Sequence, residues 1–125
     1  MIVNSYKELI VWQKSLKLSV KVYELTEKFP KEEIYGLTSQ MRRASVSIVS
    51  NIAEGRNRGT RKDFTQFLRM ALGSSAELEA QLHISKQIRK TNHLDYSEIE
   101  KMISEIMKML SVMIKKLSYN ATANS

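Results

Sequence analysis

The chain contains no cysteine, a single proline (Pro30) and four glycines among 125 residues. Without cysteine there is no disulfide framework, no thiolate metal site and no cysteine nucleophile, a composition that fits a reducing compartment. So few turn-forming residues disfavour a strand-and-turn sandwich, and the prominence of Leu, Ile, Met, Lys, Glu and Ser fits long helices. Long apolar runs are also missing. The opening Met1-Ile-Val-Asn-Ser-Tyr-Lys-Glu8 has neither an apolar signal core nor a small-residue cleavage pattern, so secretion and membrane insertion are not signalled and a cytoplasmic location is expected.

Catalytic and metal chemistry are short of parts. The two histidines, His83 and His93, stand ten positions apart, a spacing that does not place both on one metal. No Glu-x-x-His pair of the di-iron bundle type occurs. Gly55-Arg-Asn-Arg-Gly59 lacks the lysine of a phosphate loop and the strand that would aim one. Ser45, Ser47, Ser50, Ser74 and Ser75 have no base placed beside them, and suit helix faces where small residues permit close approach. Neither an enzymatic activity nor a cofactor is expected.

What the chain does contain is charge and helical period. The formal charge is +7 and the pI about 9.7, which favours encounter with polyanions. The excess is uneven, since His93 to Ser125 holds four Lys against three Glu and one Asp. The first three quarters carry the positive balance. At 42% apolar residues, 125 residues are the size of one domain with a single core.

Apolar periodicity predicts four helices in an all-α, antiparallel up-and-down bundle. The first spans about 6–29, with Leu9, Trp12, Leu16, Val20 and Tyr23 as its apolar stripe, and is ended by Pro30. The second spans about 34–54, with Leu37, Met41, Ala44, Ser45, Ile48 and Ile52 on one side and Gly55 as the left-handed residue beyond its end. The third, about 61–89, opens on Thr60 as N-cap with Asp63 in its first turn, and buries Phe64, Phe67, Leu68, Ala71, Ser75, Leu78 and Leu82. The fourth, about 96–117, is capped by Asp95 or Ser97 and carries a 4-3 seam of Ile99, Ile103, Ile106, Leu110, Met113 and Leu117. The tail 119–125 is expected to fray. Met102, Met107, Met109 and Met113 fill gaps in core or interface. Tyr96 and Tyr119 are expected either at a subunit contact or over the end of the bundle.

Two surface features stand out. Gln40, Arg43, Ser47, Ser50, Asn51 and Glu54 fall on one polar arc of the second helix, short enough in side chain for a hydrogen-bonded subunit contact as well as for a solvated face. Gln66, Arg69, Gly73 and Glu77 make a narrow side on the third, where a mid-helix glycine costs about 1 kcal/mol relative to alanine and marks a close neighbour. Gln40, Ser47, Ser50, Asn51, Glu54, Gly73 and Glu77 are the candidate oligomer-interface residues. The second feature is a basic turn, Arg56, Arg58, Arg61 and Lys62, with Arg42, Arg43 and Arg69 as secondary cations. Guanidinium forks beside the free amides of a helix start suit phosphate oxygens, and no aromatic residue interleaves these cations as a base-stacking platform would require.

Val11-Trp12-Gln13-Lys14, Val22-Tyr23-Glu24-Leu25-Thr26, Phe29-Pro30, Tyr35-Gly36-Leu37, Gln40-Met41-Arg42-Arg43-Ala44, Ser47-Ile-Val-Ser-Asn-Ile-Ala-Glu-Gly55 and Gly73-Ser-Ser-Ala-Glu-Leu-Glu79 stand in this order. Together they resemble the bacterial four-helix bundle family also called 23S rRNA intervening-sequence proteins, over roughly residues 6–117. The resemblance implies a ring-like homopentamer and kinship with the accessory variability determinant of diversity-generating retroelements, a basic pentamer that works with a reverse transcriptase and nucleic acid. Two positions depart from the family pattern: Val49 stands where proline is usual, implying a straighter second helix, and Leu72 stands where a basic residue is usual. The partners expected are therefore further copies of the chain, RNA or DNA held without sequence preference, and, in the alternative reading, an acidic protein or polymerase for which the oligomer is a scaffold.

Overall fold

The computed structural model describes residues 5–123, and the side chains of 119–123 lie outside that description. Its elements are a 3-10 turn Tyr6–Glu8, helix α1 (Ile10–Thr26), a 3-10 turn Lys31–Glu33, and helices α2 (Leu37–Arg58), α3 (Arg61–Gln87) and α4 (Ser97–Ala123). Each helix packs on its chain neighbours, and α1 also packs on α4, which closes a four-cornered bundle. Cross-helix pairs set the directions. Ser19 meets Ser45 while Thr26 meets Arg42, Ser47 meets Ser74 while Met41 meets Ser85, and Lys86 pairs with Glu100 while Arg69 meets Ser118. Rising numbers face falling numbers at every seam, including α1 on α4, where Lys14 pairs with Glu105 and Lys21 with Glu98. The bundle is antiparallel throughout.

Local chemistry explains the boundaries, several of which differ from the sequence expectation. The first helix starts at Ile10, not near Tyr6, because Ser5 caps a separate 3-10 turn and Leu9 is extended (φ −73°, ψ 125°). It stops at Thr26, whose hydroxyl donates back to the Val22 carbonyl at 2.7 Å, and Pro30 then requires an extended approach. α2 begins at Leu37, where the Glu33 carboxylate accepts from the backbone amide at 3.1 Å. It does not end at Gly55. That residue is helical and buried, and the left-handed position is Gly59 (φ 86°), four residues on. With Val49 in place of a proline α2 runs uninterrupted.

α3 opens as the sequence suggests, with Thr60 Oγ1 accepting from the Asp63 amide at 3.1 Å. Asp95 accepts from the Ser97 amide (3.0 Å) and hydroxyl (2.7 Å) at the start of α4, and these bonds hold its carboxyl below the usual range. α4 continues to Ala123, past the expected end at Leu117 and into the tail expected to fray, of which 124–125 lie outside the described residues.

The core takes the predicted sides of α2, α3 and α4: Met41, Ile48, Ile52, Leu68, Leu78, Leu82, Ile103, Ile106 and Leu110 are all buried. Ser15, Ser75 and Ser85 are buried too, each donating to the carbonyl four residues earlier, and Ser45 donates to the Arg42 carbonyl three residues earlier. These self-satisfied hydroxyls occupy little volume, which lets the helix backbones approach. Helix α1 reverses the expectation. Its buried side is Val11, Leu18, Val22 and Leu25, whereas Leu16, Val20 and Tyr23 are 43%, 53% and 41% exposed. Both stripes have helical spacing, and packing on α4 and α2 selects the one continuous with Ile99 and Ile48.

Tyr96 is buried at the end of the bundle, where its hydroxyl donates to the Thr91 carbonyl at 2.8 Å while Thr91 Oγ1 donates to the Ser85 carbonyl at 2.6 Å. It covers that end and is not a surface contact; the Tyr119 side chain lies outside the described residues. Tyr96→Phe removes the shorter of two hydrogen bonds to the Thr91 carbonyl, which keeps the Leu94 amide at 3.3 Å, and should lower stability by about 1 kcal/mol, read from urea unfolding at fixed protein concentration.

Candidate nucleic-acid interface

The four principal cations sit where α2 hands over to α3. Arg56 and Arg58 occupy the last helical turn, Gly59 reverses the chain, and Arg61 and Lys62 open α3. The expected basic turn is therefore a corner between two helices with a two-residue joint. Arg56 and Arg58, two positions apart, diverge by about 200° around α2. Arg56 is half-buried, and Arg58 lies over the Phe67 ring at 5.0 Å and pairs with Glu54 at 2.9 Å. The bond to Glu54 and its negative charge raise the Arg58 pKa further. Arg61 and Lys62 are exposed and have no ion-pair partner among the described residues.

The helix start itself is partly capped. Thr60 satisfies the Asp63 amide, and the Asp63 carboxylate puts a negative charge in the first turn, so the side-chain cations and not the helix dipole are the main attraction for an incoming anion.

The secondary cations separate from this corner. Arg42 and Arg43 lie about 22 Å back along α2 at 1.5 Å per residue. Arg42 is a structural residue: Nε donates to Thr26 Oγ1 at 2.8 Å, Nη2 reaches the Tyr23 carbonyl at 3.5 Å, and the guanidinium covers the Tyr23 ring at 4.6 Å. Arg43 is exposed. Arg69 is exposed on α3 and donates to Ser118 Oγ at 3.2 Å.

Of the residues expected at a subunit contact, three have partners inside the protomer. Ser47 Oγ bonds Ser74 Oγ at 2.9 Å, Asn51 Nδ2 donates to the Ser47 carbonyl (2.9 Å) and hydroxyl (3.0 Å), and Glu54 holds Arg58. Gln40, Ser50, Gly73 and Glu77 remain exposed.

Two open grooves flank α2. One, of about 490 Å³, runs along Tyr6, Ser50, Ala53, Glu54, Asn57 and Arg58; the other, of about 410 Å³, is lined by Tyr23, Ile34, Thr38, Ser39, Arg42, Arg43 and Val46. The second was missed in sequence. Its signal was available in the double apolar pattern of α1, where Leu18 and Val22 compete with Leu16, Val20 and Tyr23 for the inside.

Among the described residues no helix is long and apolar enough to cross a membrane, and no group of three or more acidic or histidine side chains is placed to hold a metal.

Fold and site together define a four-helix bundle with a basic corner. Residues 7–112 match the model of the 23S rRNA-intervening sequence protein family, and the chain belongs to that family. It is also similar to the crystal structure of a protein of unknown function from the S23 ribosomal protein family of Bacteroides thetaiotaomicron, with a TM-score of 0.77 and 29% identity over 85% of this chain and 96% of that one. No curated protein matches.

Proposed function

We propose that the protein is a non-enzymatic, homo-oligomeric binding module that holds RNA or DNA by its phosphates on the α2–α3 corner. The observation that carries this reading is the clustering of four cations within positions 56–62 around one corner, of which Arg58, Arg61 and Lys62 are exposed and Arg58 is paired with Glu54. Because Arg61 and Lys62 have no intramolecular carboxylate among the described residues, their charge is directed to solvent and to whatever polyanion arrives. A ring of five, which the family resemblance suggests, would repeat the corner around one axis and carry +35 by multiplying the formal +7. No aromatic residue stands between the corner cations in sequence, and the nearby Phe67 ring is covered by the Arg58 guanidinium, which favours backbone contact over base readout.

Replacing Arg56, Arg58, Arg61 and Lys62 together by alanine tests the reading. Fluorescence anisotropy with generic RNA and DNA across a salt series should show at least a hundredfold loss of affinity, and a log-log salt slope shallower by about 3, at 0.7–0.9 per lost phosphate contact. Scattering should show an unchanged oligomer. Equal affinity for variant and parent rejects the corner. No binding by the parent even near 50 mM salt would favour the second class of function, a scaffold whose basic surface holds an acidic partner protein or a polymerase.

A further inference from the structure

Two helices carry a second seam that the protomer does not use. On α1 and its approach, Leu9, Gln13, Leu16, Val20, Tyr23 and Glu27 follow one another at alternating steps of four and three residues, and all but the half-buried Leu9 are exposed. On α3 the same alternation runs through Gln66, Met70, Gly73, Glu77, Ala80 and Ile84, all of them exposed, with Met70 at 46% and Ile84 at 51%. Each seam covers 18 residue steps, about 27 Å along α3 and the whole length of α1. A sustained 4-3 pattern is the spacing by which one helix packs along another. Here both patterns point away from the core.

The two seams differ in kind. Leu16, Val20 and Tyr23 make the α1 seam a ridge, whereas Gly73 and Ala80 make the middle of the α3 seam a shallow trough between Met70 and Ile84. A Cβ at Gly73 would meet nothing within 4 Å, so the protomer itself gives no reason for a glycine that costs helix stability. Charge separates them as well. Arg43 lines the groove beside Tyr23, Glu77 stands at the centre of the α3 seam, and neither has an ion pair among the described residues. Ridge against ridge would bring the Arg42 and Arg43 pairs together, and trough against trough would oppose Glu77 to Glu77 across little buried area.

We infer that the α1 seam of one copy packs into the α3 seam of the next, a head-to-tail contact in which the Arg43 side of the ridge approaches Glu77. This rests on the self-association in the proposed function and specifies its contact. Each seam lies about 140° from the buried side of its helix and is displaced toward α2, so the two occupy adjacent and not opposite faces of the bundle. Successive copies therefore turn relative to one another, as a closed ring requires and a straight filament does not.

Val20→Arg spoils the ridge and Gly73→Arg fills the trough, both at exposed positions. Size-exclusion chromatography with light scattering should show the parent as a multimer and each variant as a monomer with unchanged helical circular dichroism; Leu16→Lys, on the same ridge, is a second route should Val20→Arg lose helix. Mixed at equal concentration, the two variants retain one intact ridge and one intact trough between them and should form a dimer and nothing larger. A variant that keeps the parental mass overturns this contact while leaving self-association standing. Two monomeric variants that stay monomeric on mixing overturn the head-to-tail arrangement. A monomeric parent removes the self-association on which the inference rests.

Discussion

Gly55→Ala should destabilise the protein by about 1–3 kcal/mol, lowering the melting midpoint by roughly 5–10 °C, although alanine is the better helix former by about 1 kcal/mol. The sign is decided by space. A Cβ at position 55 would lie 2.5 Å from Phe67 Cβ and 3.3 Å from both Phe64 Cδ1 and Phe67 Cγ. The nearest atom is the first of the Phe67 side chain, tied to the α3 backbone, so rotating the ring does not relieve the clash and the two helices must separate. Thermal and urea unfolding at matched protein concentration would check this; a stabilised variant would show that α2 and α3 do not meet so closely.

The second large effect separates the two sides of α1. Leu18 is fully buried, and Leu18→Ala should cost about 2–5 kcal/mol from lost transfer energy and the cavity left behind. Leu16, two residues away and 43% exposed, should cost under about 1 kcal/mol on the same change when the protomer alone is measured, in the Gly73→Arg background. Equal costs at the two positions would mean that α1 is rotated from the orientation described. If the parent assembly loses mass on Leu16→Ala while its protomer fold does not weaken, the residue acts between copies.

The contrast shows where sequence reasoning has enough information and where it does not. On α2, α3 and α4 large apolar residues outside the apolar stripe are few and scattered, Val46, Met70, Ile84 and Val112 among them, so period and composition name the same face and the core residues are legible. On α1 apolar residues recur on two sides, and nothing in the local sequence ranks Leu18 and Val22 above Val20 and Tyr23; only the neighbouring helices do. The glycines pose the same problem. Gly55 and Gly59 both suit a helix end, and the choice between them rests on Phe67, twelve positions beyond Gly55, needing the room that a missing side chain leaves.

The candidate site was legible as a cluster of charge and not as a geometry. Four cations within positions 56–62 are visible in any reading, but extending α2 to Arg58 turns Arg56 and Arg58 away from each other. The bond of Arg42 to Thr26, and those of Ser47 to Ser74 and Asn51, join positions that only the fold brings together or orients. Residues that look alike as polar surface thus divide into those that hold the protomer and those left to face outward.

The joint at Gly59 and Thr60 also bears on the order in which the bundle can form. Two residues between α2 and α3 make the entropy of bringing their ends together the smallest in the chain, whereas α1 and α4 must find each other across nearly its whole length. The α2–α3 hairpin is thus the natural nucleus, and the outer pair is the late event on which cooperative closure depends.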